Sequence, residues 1–228
     1  MVQKKKNAPL SVPAAASEPK RRGRPRAYEP EIALGRALDL FRKDGFAATS
    51  LDDLSAATGM NRPSLYAAFG DKQHIYVKAY RRYRAEMRDA FRPILEADGP
   101  VRVVLRKTFE MASEVYLAGP DGPRGCFSVV TAASEAIADP EIRKQVNEAI
   151  ASLDQGFTAL FAKAMARGEL RSDADAAALA KIATATIHTL AIRARVRAPK
   201  SELRALIDAG ITVICGLENR PKRSKREA

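Results

Sequence analysis

The chain has 228 residues, of which 46% are hydrophobic, with two cysteines, no tryptophan and a formal net charge of +12. This length can bury a sizeable core, but no stretch reaches the ~18 uncharged apolar residues of a membrane span. The histidines and cysteines are not clustered at metal-ligand spacing, and hydrolase, metalloprotease and phosphate-loop motifs are absent from the sequence. We therefore expect no metal site, no cofactor and no enzymatic activity.

The first residues do not have the pattern of a secretion signal. Lys4, Lys5 and Lys6 are followed by a polar stretch with two prolines, whereas a signal peptide continues with an apolar run. We expect a cytoplasmic protein without a membrane partner, in which Cys126 and Cys215 stay reduced.

The positive charge is concentrated at the two ends of the sequence. Residues 1–28, the basic arm, carry a net charge of +7, and residues 219–228, the basic tail, carry +4. Residues 29–72 carry −2. If this middle segment binds nucleic acid, it must do so through a few placed donors, with the arm adding non-specific attraction to phosphate.

The basic arm contains the sequence Arg-Gly-Arg-Pro, which resembles the core of an AT-hook. An extended Arg-Gly-Arg-Pro backbone can lie in a narrow A·T-rich minor groove, because glycine permits close approach and proline holds the chain extended. Arg22, Arg24 and Arg26 are the candidate minor-groove residues. The alternative is a solvated basic leader with no site of its own.

Two short helices separated by a glycine follow the first helix, which is predicted over residues 30–44. Thr49 or Ser50 can cap the second helix, since a hydroxyl there accepts from free amides of the opening turn. Gly59 supplies the permissive backbone of a sharp turn. In the third helix Arg62, Ser64 and Tyr66 share the outer face, which is the arrangement that reading a DNA major groove requires.

The rest of the chain has helical periodicity and breaks, so the fold class is all-α with about nine helices. The further helices are predicted from residue 71 through about 97, and over 100–117, 126–138, 140–168, 173–198 and 201–218.

The run from Ala37 to Lys72, ALDLFRKDGFAATSLDDLSAATGMNRPSLYAAFGDK, resembles the DNA-binding domain of the TetR/AcrR family of bacterial transcriptional regulators. Residues 164–196 and the Gly125-Cys126-Phe127 helix start resemble later parts of such regulators. The resemblance implies a three-helix domain with a helix-turn-helix over residues 29–75. It also implies a helical effector-binding and dimerisation domain over residues 76–218.

Matching positions of the family give this chain a set of expected DNA contacts. Thr49, Ser64 and Lys72 would meet backbone phosphates, and Tyr66 would contact a phosphate and a thymine methyl. Asn61, Arg62 and Pro63 would approach base edges, with Arg62 as the main reader, because a bidentate arginine discriminates guanine.

We expect a homodimer from the apolar patterns of helices eight and nine. Residues 176–192 are apolar or small on nearly every face, and helix nine has an apolar stripe. Paired helices from two chains would form a four-helix bundle. The alternative is core packing within one chain. The stripe of helix nine consists of Leu203, Leu206, Ile207, Gly210, Ile211, Ile214 and Leu217.

The effector pocket is the least specified feature, since aromatic and apolar side chains between helices belong to a core as readily as to a cavity. His188 fits a core or interface position better than a metal site, and a redox role for Cys126 is open. The candidate pocket residues are Phe109, Tyr116, Phe127, Phe157, Phe161, Met165 and His188.

The resemblance implies a dimeric repressor that a small-molecule effector releases from a palindromic operator in double-stranded DNA. The alternative is an architectural protein that binds A·T-rich DNA through its basic arm and has no effector.

Overall fold

The structure is a computed structural model that describes residues 29–216. Throughout this range the chain forms helices and their connections without a strand, which confirms the all-α fold class. The predicted arm residues Arg22, Arg24 and Arg26, and the basic tail, lie outside the described residues. The helices are α1 (Pro30–Ala48), α2 (Leu51–Thr58), α3 (Arg62–Phe69), α4 (Lys72–Leu95), α5 (Val101–Leu117), α6 (Ala133–Glu135), α7 (Pro140–Ala166), α8 (Ala176–Arg195) and α9 (Lys200–Cys215).

Helices α1, α2 and α3 pack around a small apolar core, and their ends are set by local side chains. Ser50 caps α2 in a capping box with Asp53, whose carboxylate accepts the Ser50 N–H at 2.8 Å. Gly59 has a φ of 71° and turns the chain toward α3. The buried side chains of this core are Phe41, Leu54, Leu65 and Phe69.

Helix α4 belongs to both halves of the molecule. It packs against α1 and α3, and also against α5 and α7. The domain boundary expected after residue 75 therefore falls inside one continuous helix. Helix α4 is thus in direct contact with two of the first three helices, α1 and α3.

Helices α5, α7, α8 and α9 form the second unit, in which α8 packs against the other three. Gly210 of α9 is closely packed on α8, because a Cβ there would lie 2.9 Å from Cγ2 of Thr186. Most of the apolar stripe predicted on α9 is buried inside the chain, Leu206 is partly buried, and Leu217 lies outside the described residues. The buried members of the stripe are Leu203, Ile207, Gly210, Ile211 and Ile214.

The helix predicted over residues 126–138 is present in part, but it is shorter and irregular. A π-helical turn, Ser128–Ala132, leads into the single turn of α6. The β-branched run Val129-Val130-Thr131 favours α-helix weakly. The Phe127 ring also packs edge-on against three tyrosines of α4, which fixes the entry to this segment.

Helix α8 begins later than the sequence indicated. Asp175 caps it by accepting the N–H groups of Ala177 and Ala178, whereas Asp173 pairs with Arg171 in the preceding loop. From the sequence, either Asp173 or Asp175 could be the N-cap of this helix. In the structure the N-cap is Asp175.

Candidate functional site

Helix α3 presents an exposed face at its N-terminal end. Asn61, Arg62 and Pro63 are exposed, and Tyr66 is 47% exposed. Leu65 and Phe69 occupy the opposite side and lie in the core. The structure therefore places four predicted DNA contacts together on one short surface.

Asp52 of α2 holds Arg62 through two hydrogen bonds. Nε of Arg62 donates to Oδ1 of Asp52 at 2.9 Å, and Nη2 donates to Oδ2 at 2.6 Å. The hydrogen bond to Asp52 raises the pKa of Arg62 above its usual value. A guanidinium carries five N–H donors in a planar fork. Since Asp52 takes the side edge of the fork, the Nη1 and Nη2 end is left for another acceptor.

Asn61 caps α3. Its side-chain oxygen accepts the backbone N–H of Ser64 at 2.9 Å, so the carboxamide nitrogen is not part of the cap. Ser64 is half-buried beside it. The cap orients Asn61 at the exposed end of the helix and leaves its N–H donors outside the cap.

Lys72 opens α4 at the base of this surface. Its ammonium lies 4.3 Å from the ring centroid of Phe46, which follows the kink of α1 at Gly45. This is a cation–π contact. The predicted phosphate contact is thus a half-buried cation held at the junction of α1 and α4.

Thr49 differs from the other predicted DNA contacts, because it is covered in this structure. Its side chain is buried, with 1% exposure, and its hydroxyl donates to the Gly45 carbonyl at 2.6 Å. A hydroxyl used and covered in this way is not presented to a phosphate. The sequence predicted either Thr49 or Ser50 as the N-cap of α2. In the structure the exposed residue, Ser50, is the N-cap.

A cavity of about 810 Å³ lies between α4, α7 and α8. Two of the predicted pocket residues, Tyr116 and His188, line it, and so does Cys126. Burial raises the pKa of Tyr116 well above its ordinary value and lowers that of His188, so both groups favour their neutral forms. Tyr83 donates to Sγ of Cys126 at 3.3 Å.

The other five predicted pocket residues do not line the cavity. Phe157 stacks on Phe161 and packs against Phe109, so these three rings fill the core between α5 and α7. Phe127 is enclosed by tyrosine rings of α4, and Met165 packs on the core. Large aromatic side chains bury the most apolar area when they contact one another, which draws them away from a hydrated space.

The charged side of the cavity was not predicted from the sequence. Four arginines of α4 line it, at positions 81, 84, 88 and 92. Their spacing of three or four residues places them on one face of a helix, and this signal was present in the sequence. Their partners on α7 were not predictable without the packing: Arg81 pairs with Glu141 at 2.6 Å, and Arg84 with Glu148 at 3.1 Å.

Several apolar side chains on α8 and α9 are exposed. Those on α9 differ from the stripe predicted for that helix, whereas Ile182, Ala185 and Ile192 belong to the run 176–192 from which a homodimer is expected. We call the exposed side chains of both helices the α8/α9 surface. It comprises Ile182, Ala185, Ile192, Val196, Ala205, Ala209 and Val213.

Two kinds of site are not found between residues 29 and 216. In that range no group of three or more His, Cys, Asp or Glu side chains could hold a metal ion. The helices of the same range are also too short or too polar to span a bilayer.

Two family models match the chain. The model for bacterial regulatory proteins of the tetR family matches residues 33–79. The model for the tetracyclin repressor-like C-terminal domain matches residues 104–209. The matched ranges follow the two structural units on either side of α4.

Two curated relatives and one solved structure agree with these models. The HTH-type transcriptional regulator YezE of Bacillus subtilis is 28% identical over 193 residues, which cover 84% of this chain and 99% of the relative. The HTH-type transcriptional repressor ComR of Escherichia coli is 29% identical over 85% of this chain and 91% of its own. A cysteine mutant of the TetR family regulator CifR, complexed with 26-base-pair operator DNA, is 27% identical with a TM-score of 0.73, covering 83% and 98% of the two chains.

Proposed function

The chain belongs to the TetR family of bacterial transcriptional regulators, and we propose that it is a dimeric repressor which a small effector releases from a palindromic operator. The observation that carries the proposal is the bidentate Asp52–Arg62 pair at the exposed start of α3. It orients a guanidinium whose free end can donate to both O6 and N7 of a guanine.

The proposed DNA-contacting residues share the surface around this pair. Base edges meet Arg62 and its neighbours on α3, while Tyr66 and Lys72 contact the phosphates that fix the register. The DNA-binding unit carries a net charge of −2, so placed donors and not bulk charge hold it on the duplex. We assign these contacts to Asn61, Arg62, Pro63, Ser64, Tyr66 and Lys72.

The α8/α9 surface supports a homodimer. Val213 is 68% exposed and Val196 71%, and large apolar side chains grouped outside the core mark interaction surfaces. A two-fold dimer buries the same surface on both copies. It also sets two α3 helices at a fixed separation, which a palindromic operator matches with half-sites one helical turn apart.

Helix α4 supplies the proposed route from effector to operator. Toward the DNA-binding unit, Lys78 donates to the Phe69 carbonyl at 3.0 Å and Arg82 donates to the Glu31 carbonyl at 2.5 Å. Toward the second unit, α4 is tied to α7 by the Arg81 and Arg84 ion pairs. An effector that changes the α4–α7 contact therefore shifts α3 as well, and it lowers operator affinity if it binds the shifted state more tightly.

The division at residues 29–75 and 76–218 stays a proposal about function. The first unit binds DNA, and the second holds the effector and the partner copy. Because α4 crosses the boundary, the two activities are coupled through one helix.

Half-site spacing tests the dimeric proposal. The operator is first obtained by selecting bound duplexes from a random pool. Binding is then compared with a duplex that has about half a helical turn inserted between the half-sites. A dimeric regulator loses most of its affinity for the lengthened duplex, since the half-sites now face opposite sides. Equal affinity for both duplexes would contradict the proposal.

A further inference from the structure

We propose that the effector is an amphipathic organic anion, with its acidic group on Arg84 and Arg88 and its apolar body against the apolar wall formed by α4 and α7. This inference rests on the proposed effector role of the cavity and names the chemistry that the cavity selects. Three observations support it: the excess of cationic side chains in the cavity lining, the apolar wall beside them, and the Arg84–Glu148 ion pair, which a ligand anion can replace.

The charge of the cavity lining favours an anion. Six cationic side chains line the cavity, against three carboxylates. Two of the carboxylates, Glu141 and Glu148, already accept hydrogen bonds from arginines of α4. The cations are Arg81, Arg84, Arg88, Arg92, Lys144 and Lys163, and the carboxylates are Glu96, Glu141 and Glu148.

We place the acidic group on the two arginines in the middle of the α4 series, Arg84 and Arg88. Arg88 contacts only its neighbour Asp89 at 3.2 Å, with both side chains more than half exposed, and such pairs are weak. Arg84 is less exposed, at 23%, and contacts Glu148 at 3.1 Å. A ligand carboxylate placed between Arg84 and Arg88 gains charge-assisted hydrogen bonds from both guanidinium groups.

The body of the ligand meets an apolar wall. Phe91 and Leu95 of α4 and Leu160 of α7 are less than 10% exposed, and all three line the cavity. The volume of about 810 Å³ is in the range of small-molecule sites. An apolar wall beside a cationic series matches an acid with a hydrocarbon or aromatic body, and it does not match a small inorganic anion.

The exchange of partners at Arg84 links this ligand to regulation. When the ligand anion takes Arg84, Glu148 loses its partner, and one of the two ion pairs between α4 and α7 is broken. Arg81–Glu141 remains as the other tie, nearer to the DNA-binding unit. The ligand thus binds the state in which α4 is freer of α7, and it stabilises that state by its differential affinity.

Calorimetric titration of the full-length protein tests the ligand class directly. The probes are decanoate and naphthoate, each below its micelle-forming range, with decan-1-ol, naphthalenemethanol and decylammonium as matched neutral and cationic probes. We expect at least one of the two acids to bind and the neutral and cationic probes to bind at least about tenfold more weakly. Failure of both acids to bind, or equal binding of decylammonium, overturns the proposal.

Variants with opposite expected signs locate the acidic group. Arg84→Gln should weaken binding of the acid about tenfold, because a charge-assisted contact is lost. Glu148→Gln should strengthen it, because the internal competitor for Arg84 is removed. Arg171→Gln, at an exposed arginine outside the cavity, is the control. An unchanged affinity in Arg84→Gln, or weaker binding in Glu148→Gln, overturns the assignment.

Operator binding is measured on the same preparations by fluorescence anisotropy. A failure of the proposed effector class can then be distinguished from a failure of the proposed function. If the protein selects a palindrome but binds neither acid, only the effector class is wrong. If the acids bind while no palindrome is selected, the proposed function is wrong and the ligand class stands.

Discussion

Asp52 holds from the side the arginine that we propose as the base reader, Arg62, in a DNA-binding unit whose net charge is negative. Without its partner, a long exposed arginine samples many rotamers and loses side-chain entropy on binding. With it, the end of the fork already points outward. The carboxylate therefore has a positioning role, although it adds repulsion toward phosphate.

Substitution of Asp52 should lower specificity more than affinity. In Asp52→Asn the bidentate ion pair is lost, so we expect weaker discrimination at the base that Arg62 contacts. Affinity for random duplex should stay the same or rise, since one negative charge is removed. Competition titrations with operator and random DNA measure the ratio. Asp173→Asn, which alters another exposed Asp–Arg pair, is the control, and unchanged discrimination in Asp52→Asn would refute the positioning role.

His188 should make the stability of the fold depend on pH. Burial lowers the pKa of His188, and the charge of Asp154 opposes this shift only in part. The unfolded chain then binds a proton more readily than the folded one, so stability falls as pH drops through the ordinary histidine range near about 6.5. We expect His188→Gln to remove part of this fall in denaturant unfolding followed by circular dichroism. His74→Gln, which leaves His188 in place, is the control, and an identical pH profile in His188→Gln would contradict the prediction.

At the scale of single residues, the sequence predicted exposure correctly where the exposed and buried residues of one helix alternate at helical spacing. Arg62 and Tyr66 face outward because Leu65 and Phe69 face inward, and that pattern can be seen in the chain itself. Thr49 and the phenylalanines of α5 and α7 were misplaced because their burial depends on which helices meet. Spacing within one helix does not contain that information.

Helix ends show the same division at the scale of elements. Asp139 before Pro140 and the Gly59 turn marked α7 and α2 correctly, since caps act through residues that are adjacent in sequence. The π-helical turn after Gly125 begins next to Phe127, whose ring contacts tyrosines of α4 that are more than forty positions earlier in the chain. Local propensity does not predict that contact.

The α8/α9 surface gives a test of the dimer. In Val213→Glu a charge replaces an apolar side chain on this surface, and the mass from light scattering should fall from about twice the monomer's 24.8 kDa toward that value. Ile137→Glu is a matched control. Ile137 is also an apolar residue with high exposure, 81%, but it follows α6 and does not belong to the α8/α9 surface. Loss of the dimer in the control alone, or a wild type that is monomeric, would show that the copies do not pair here.

At the scale of the whole molecule, we expect operator specificity and general attraction to DNA to be separated along the chain. The helices from α1 to α4 hold the placed donors, whereas the arm over residues 1–28 has a net charge of +7. The family match covers both structural units and was predictable from the motif run, while the route through α4 required the packing. The cavity's arginine series was visible in sequence only as a pattern of spacing.

Removal of residues 1–28 should weaken binding to every duplex and reduce its salt dependence, because fewer phosphate counterions are released. The preference for a palindrome should remain, since α3 is intact. Anisotropy titrations over a series of salt concentrations measure both effects. If the shortened protein loses all DNA binding, the architectural alternative is correct. In that alternative the protein binds the minor groove of A·T-rich DNA through Arg22, Arg24 and Arg26.

The most direct test of the account is selection of bound DNA from a random pool with wild type and with Arg62→Ala. We predict that wild type yields a palindromic motif, and that the variant yields the same motif with one symmetric pair of positions relaxed. The loss of preference at those positions should be about tenfold or more. Enrichment of A·T-rich sequence without symmetry, indifferent to Arg62, would contradict the assignment of α3 as the reading helix.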